Sequence, residues 1–180
     1  MWWGGGGGHD AFKWTFYQSE DAGASILVET AGKLIEFGFR VIVLLAGHYP
    51  WKGWLERHVP PIQEKHPEVL ILWGTEMEIC GERTGVLGDH AAREETSFGL
   101  ALFPSLVDLE SLRGGHGEEE WPGGVVPPKD TWHPTVCFDT DDPLFAQMGE
   151  DARKATAEHG EEGTQGVEDW LTERIQVHLR

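Results

Sequence analysis

The 180-residue chain holds only two cysteines, and neither Cys80 nor Cys137 stands in a C-x-x-C pair. A disulfide framework is thereby excluded, and the usage fits a reducing cytoplasm, the compartment expected here. Long apolar runs are missing too. The longest, Val41 to Ala46, is far short of the roughly 20 residues that cross a bilayer, and Met1-Trp2-Trp3-Gly4 is not a basic leader. A soluble protein with no membrane partner and no signal peptide is expected. Basic side chains are scarce, 14 against 31 acidic ones, for a formal charge of −17. So acidic a surface repels phosphate backbones, and no nucleic acid is expected as a partner. The excess is heavier after residue 90 and reads as a solvated face.

What is present is globular in kind. Apolar residues make up 39% of the chain and tryptophan occurs nine times, more than a disordered chain carries. At roughly 150 residues per domain, residues 1–180 read as a single domain. Residues 1–10 read as a glycine-rich leader, because Gly4 to Gly8 run unbroken into His9 and Asp10; the other meaning of such a run is backbone lying close to a ligand.

Further along, Ile26, Leu27, Leu34, Ile35 and Phe37 predict an amphipathic helix over 23–37 that stops near Gly38. Val41-Ile42-Val43-Leu44-Leu45 reads as a strand buried on both faces, and Val69-Leu70-Ile71-Leu72-Trp73 as the second strand of a β-α-β unit. Pro60-Pro61 predicts two short helical pieces between them. After a loop, a helix is expected over 95–109, disturbed near Pro104. A long irregular loop over 114–143, anchored by Trp121, Trp132 and Phe138, has the composition of a segment that covers a site. Two helices are expected at the end, near 144–159 and 166–179.

Two constellations could carry chemistry. Gly47-His48-Tyr49-Pro50 follows the first strand directly. Ligands of open parallel sheets bind outside the carboxyl ends of strands, so His48 stands where a metal ligand or general base belongs. A loop histidine bonded to backbone is the plainer meaning. The second is Asp89-His90-Ala91-Ala92-Arg93-Glu94-Glu95-Thr96-Ser97, whose imidazole and carboxylates are donors that zinc or manganese accepts. Its plainer meaning is a helix cap, with Asp89 or the glutamates satisfying a helix N-terminus. Gly4 to Gly8 also suggest an anion cradle, but no strand precedes them and no lysine-serine or lysine-threonine pair follows, so the P-loop pattern fails.

Taken together, Gly7-Gly8-His9, the run from Gly38 to Tyr49, and Asp89-His90-Ala91 with Glu95-Thr96-Ser97 leading into Leu100 to Asp108 resemble the creatininase (creatinine amidohydrolase) family. Ala157-Glu158-His159-Gly160 before a terminal helix is similar as well. The resemblance implies a three-layer α/β/α fold with a mainly parallel sheet, shortened at its N-terminus so that the family's Glu-x-His motif and following aspartate would precede residue 1. It implies hydrolysis of a C–N bond in a small cyclic or linear amide with a divalent metal, zinc, manganese or iron, as cofactor, and assembly into a homo-oligomer. By the same resemblance His48 is a metal ligand, Tyr49 and Trp73 are substrate-binding, His90 is catalytic, and Glu95 is catalytic or supports the metal. Trp73 also fits an ordinary core position at a strand end. Pro50 and Arg93 stand where creatininases carry metal-site and motif glutamates. A catalytically inactive or partial creatininase fold, acting as a binding or subunit-interaction module, is the alternative expectation.

Overall fold

A computed structural model describes residues 19–115, 128–132 and 134–180. The chain divides into two compact units, one holding residues 19–83 and Gln165–Arg180, the other Thr84–Thr164.

The first unit is built on a parallel β-α-β core. Helix α1 (Glu20–Glu36) starts at Ser19, whose side chain accepts from Ala22 N at 3.3 Å, with Glu20 and Asp21 in the first turn. It ends where glycine is required. Gly38 has φ +85°, and its N–H bonds Ile35 O at 2.9 Å while Phe39 N–H bonds Leu34 O at 3.1 Å. That pair of bonds satisfies the last carbonyls in a Schellman turn.

Strand β1 (Val41–Leu45) pairs in parallel with β2 (Leu70–Gly74), from Val41 opposite Leu70 to Leu45 opposite Gly74. Leu27 and Ala31 of α1, Ile42 of β1, Ile71 of β2, Val69 just before β2, and Leu55, Val59 and Ile62 of α2 (Trp51–Lys65) form one apolar cluster. The Gln63 side chain of α2 closes off β2. Its Oε1 accepts from Ile71 N at 2.9 Å and its Nε2 donates to Val69 O at 2.5 Å, which occupies backbone groups that an edge strand would leave open.

Two expectations fail here. β1 is not buried on both faces: Ile42 is 3% exposed, but Val43 is 38% and Leu45 53% exposed. An unbroken apolar run does not say which side of a strand meets the helices, and successive side chains point to opposite faces. Nor does Pro60-Pro61 split the crossover, since α2 runs unbroken through both. Leu55, Val59 and Ile62 are all buried on one face, and this tertiary packing outweighs the two missing backbone donors. Both prolines are exposed, so Pro60→Ala, which restores a donor toward Glu56 O, is expected to stabilise the protein by about 1 kcal/mol in chemical denaturation.

Helix α3 (Glu76–Thr84) occupies a stretch expected to be loop. Its signal was Thr75-x-x-Glu78, in which Glu78 Oε2 reaches back to Thr75 N at 3.2 Å. This is the returning half of a capping box.

In the second unit, α4 (Arg93–Leu102) starts two residues earlier and ends seven residues sooner than expected, giving way to a 3-10 turn at Pro104–Leu106. Pro104 disfavours helical geometry at Phe103, which sits at φ −141°, ψ 52°. Residues 128–132 and 134–143 are irregular, as expected, apart from a 3-10 turn at Lys129–Thr131. They carry an aromatic anchor: Trp132 stacks on Phe138 at 5.1 Å, beside Val136, Phe145 and Met148. Trp121 lies outside the described residues.

The two expected C-terminal helices are a single one. Residues 144–156 form turns and a short 3-10 segment, and α5 (Ala157–His178) then runs 22 residues through Gly160, Gly163 and Gly166. These glycines look like breakers, yet Gly160 lies tight against the Ser97 backbone and Gly163 against the Phe98 ring. Close packing supplies what helix propensity lacks. Among the described residues no helix is long and apolar enough to cross a membrane.

Candidate functional site

In the first unit, chemistry gathers at the carboxyl ends of the two strands. β1 leads into a turn in which Trp51 N–H bonds His48 O and Lys52 N–H bonds Tyr49 O, both at 3.0 Å. This turn sets His48 and Tyr49 at the strand end and opens α2. β2 leads through the fully buried Thr75 into α3. The two segments meet through side chains: Tyr49 Oη donates to Glu76 Oε1 at 2.5 Å, and Lys52 Nζ pairs with Glu78 Oε1 at 2.9 Å. The Glu78 carboxylate holds the Lys52 ammonium above its ordinary pKa. His48 Nε2 is buried. Trp73, opposite Leu44 on β2, packs against the apolar cluster.

In the second unit, residues 89–97 form a tightly bonded loop-to-helix junction. Asp89 is buried, and its carboxylate accepts Glu94 N at 2.6 Å and Glu95 N at 3.0 Å. It thus caps α4, whose own N-cap residue Ala92 offers no side-chain bond. Burial raises the Asp89 pKa, and the backbone donors only partly oppose the shift. His90 exchanges two backbone bonds with Met148, at 2.7 and 3.0 Å. Ala91 sits at φ +48°, a left-handed conformation that is costly for a residue with a Cβ. Its N–H donates to Glu95 Oε2 at 2.8 Å. Glu94 turns the other way and bonds His159 Nε2 at 2.6 Å, with Arg93 Nη1 at 3.3 Å from its second oxygen.

The expected site residues therefore fall into two groups: His48, Tyr49 and Trp73 in the first unit, His90 and Glu95 in the second. The capping meaning of Asp89 holds. Two further residues belong with these groups. Glu76 carries no signal beyond its place inside the Thr75-x-x-Glu78 capping sequence, and His159 none beyond the likeness of Ala157-Glu158-His159-Gly160. His9, Asp10 and Gly4 to Gly8 lie outside the described residues. Neither cysteine has the setting of a nucleophile. Cys80 is buried with its thiol 3.1 Å from Glu76 O, and burial raises the Cys137 pKa.

A family model described as creatinine amidohydrolase matches residues 1–175. The chain belongs to the creatininase family. Two solved structures are similar in fold. One, titled "Putative creatinine amidohydrolase" from Bacteroides fragilis NCTC 9343, shares 22% identity at a TM-score of 0.63, covering 98% of this chain and 69% of that one. The other, a tryptophan-to-phenylalanine variant of creatininase, shares 18% identity at a TM-score of 0.61, covering 92% of this chain and 66% of that one. These likenesses establish the fold, α/β with a parallel sheet, and the chain spans about two thirds of each solved structure. No curated protein matches in sequence.

Creatininases are metal-dependent, and the described residues can be tested for that fit. No three His, Cys, Asp or Glu side chains gather among them as a metal-holding group. In the second unit the reason is visible: Asp89 is spent on backbone N–H groups, Glu94 on His159, and one Glu95 oxygen on Ala91. The described donors alone do not fit a metal centre.

Proposed function

We propose that the protein hydrolyses a C–N bond in a small cyclic or linear amide. Membership of the creatininase family supports the reaction class. The observation that supports the reading is the Tyr49–Glu76 bond at the carboxyl ends of two parallel strands, where α/β sheets bind ligands.

Within this reading each named residue is assigned a task. Tyr49, oriented by the hydrogen bond it donates to Glu76, is a substrate-side residue of the proposal. Trp73 adds an apolar wall. His90 hands a proton to the leaving nitrogen, because amide cleavage requires that nitrogen to depart protonated. Glu95, whose Oε2 accepts the Ala91 N–H, is the carboxylate to which the proposal assigns the proton of the attacking water. A divalent metal, zinc, manganese or iron, is the cofactor of the proposal, with His48 as one ligand. No step is assigned to it, because the described donors do not complete its coordination.

The test is turnover of a panel of cyclic and linear amides, creatinine included, followed by NMR, together with metal analysis of the purified protein. We expect hydrolysis of at least one amide at neutral pH, and His90→Ala to lower kcat by about 100-fold or more. Stoichiometric metal that is lost in His48→Ala is the expected analytical result. A metal-supplemented protein that turns over none of the amides would overturn the proposal. Metal retained in full by His48→Ala would remove His48 from the ligand set.

A further inference from the structure

We infer that His159 is a positioning residue for Glu95 and His90, acting through Glu94. The inference rests on the reading of His90 and Glu95 as reacting groups given above.

The starting observation is a carboxylate in an unusual place. The Glu94 side chain is 7% exposed and that of His159 13%, in a protein whose acidic residues outnumber basic ones by more than two to one. Burying a carboxylate is costly unless it is paired. The 2.6 Å bond from His159 Nε2 to Glu94 Oε2, with Arg93 at the other oxygen, supplies that pairing. Glu94 is the second residue of α4 and His159 the third of α5, so the bond ties the first turns of two helices together.

What this does to the reacting groups follows from helix geometry. Neighbouring residues of an α-helix project about 100° apart. Pinning Glu94 against α5 therefore fixes the rotation of α4 about its own axis, and with it the direction in which Glu95 leaves the helix. Glu95 Oε2 in turn receives the Ala91 N–H at 2.8 Å, so the turn that carries His90 follows Glu95. Ala91 holds a left-handed conformation that relaxes unless its surroundings hold it. A second tie keeps the helices in register: Thr156 N–H bonds Ser97 Oγ at 3.2 Å, and that hydroxyl donates to Arg93 O at 2.7 Å. Asp89 fastens the loop to α4; His159 fastens α4 to α5.

Amide hydrogen exchange by NMR on the full chain reads this directly, because the Ala91 amide reports where the Glu95 carboxylate stands. His159→Ala is expected to speed Ala91 exchange by about tenfold or more, while the amides of Cys137 and Ala146, bonded to Gln147 O and Cys137 O, keep their protection. His159→Gln, whose amide nitrogen falls near the position of Nε2, is expected to restore it. His159→Asn, which stops one bond short of Glu94, gives the same reading as alanine should the alanine variant fail to fold. In the amide assay His159→Ala should lower kcat about tenfold with KM within about twofold, and glutamine should rescue it. Unchanged Ala91 exchange in the alanine and asparagine variants would overturn the inference. So would acceleration shared equally by Cys137 and Ala146, which is general loosening. If the wild-type protein hydrolyses no amide, the proposed function fails by itself, and the exchange experiment still decides whether His159 positions Glu95.

Discussion

Gly160→Ala is expected to destabilise the protein by about 3 kcal/mol or more, read as a lowered midpoint in thermal or chemical denaturation. In an ordinary exposed helix the same change stabilises by up to about 1 kcal/mol, so the sign alone is diagnostic. A Cβ at position 160 would stand 2.0 Å from Ser97 O and 2.5 Å from Ser97 C. That obstacle is backbone, which has no rotamer to change. Nor can α4 retreat freely, since Ser97 Oγ joins Thr156 N to Arg93 O. Gly163→Ala makes a useful contrast. The atoms its Cβ would meet at 2.6 and 2.8 Å belong to the Phe98 ring, which can turn, so its cost should be clearly smaller. A stabilising Gly160→Ala would mean that the α4–α5 seam is looser than described, and would weaken the role given to His159.

The second large effect belongs to the first unit. Leu55→Ala should cost about 2–5 kcal/mol, because Leu55 is 2% exposed among Leu27, Ile42, Val59 and Ile71, and truncation loses its transfer energy and leaves a cavity. In a chain of this length that is a fall of roughly 2–4 °C in Tm for each kcal/mol. Leu45→Ala removes the same atoms from a position 53% exposed, and should stay within about 0.5 kcal/mol. The pair measures what the apolar run of β1 could not state, namely which side of the sheet is packed. Similar losses from both changes would show that Leu45 is covered in solution.

Several features were legible in the sequence because their causes lie within a few residues. β1 spans the residues its apolar run marked. α1 stops where Gly38 allows a left-handed turn, and the acidic stretch from Asp89 to Glu95 marks a helix cap without saying which carboxylate makes it. The order of the motif blocks carried the family. Local readings failed where packing outvoted propensity: at Pro60-Pro61 inside α2, at the glycines of α5, and on the exposed side of β1.

Tertiary structure alone decided the partnerships. Tyr49 meets Glu76 across 27 residues because parallel pairing brings two strand ends together, and Glu94 meets His159 across 65 because α5 lies against α4. Composition determined that the protein is acidic and globular, and motif order determined its family. Which carboxylate caps a helix, which orients a tyrosine and which holds a histidine depends on distances that only chain closure creates. A hydrogen bond is formed or lost over a few tenths of an ångström, a precision that spacing along the chain does not carry.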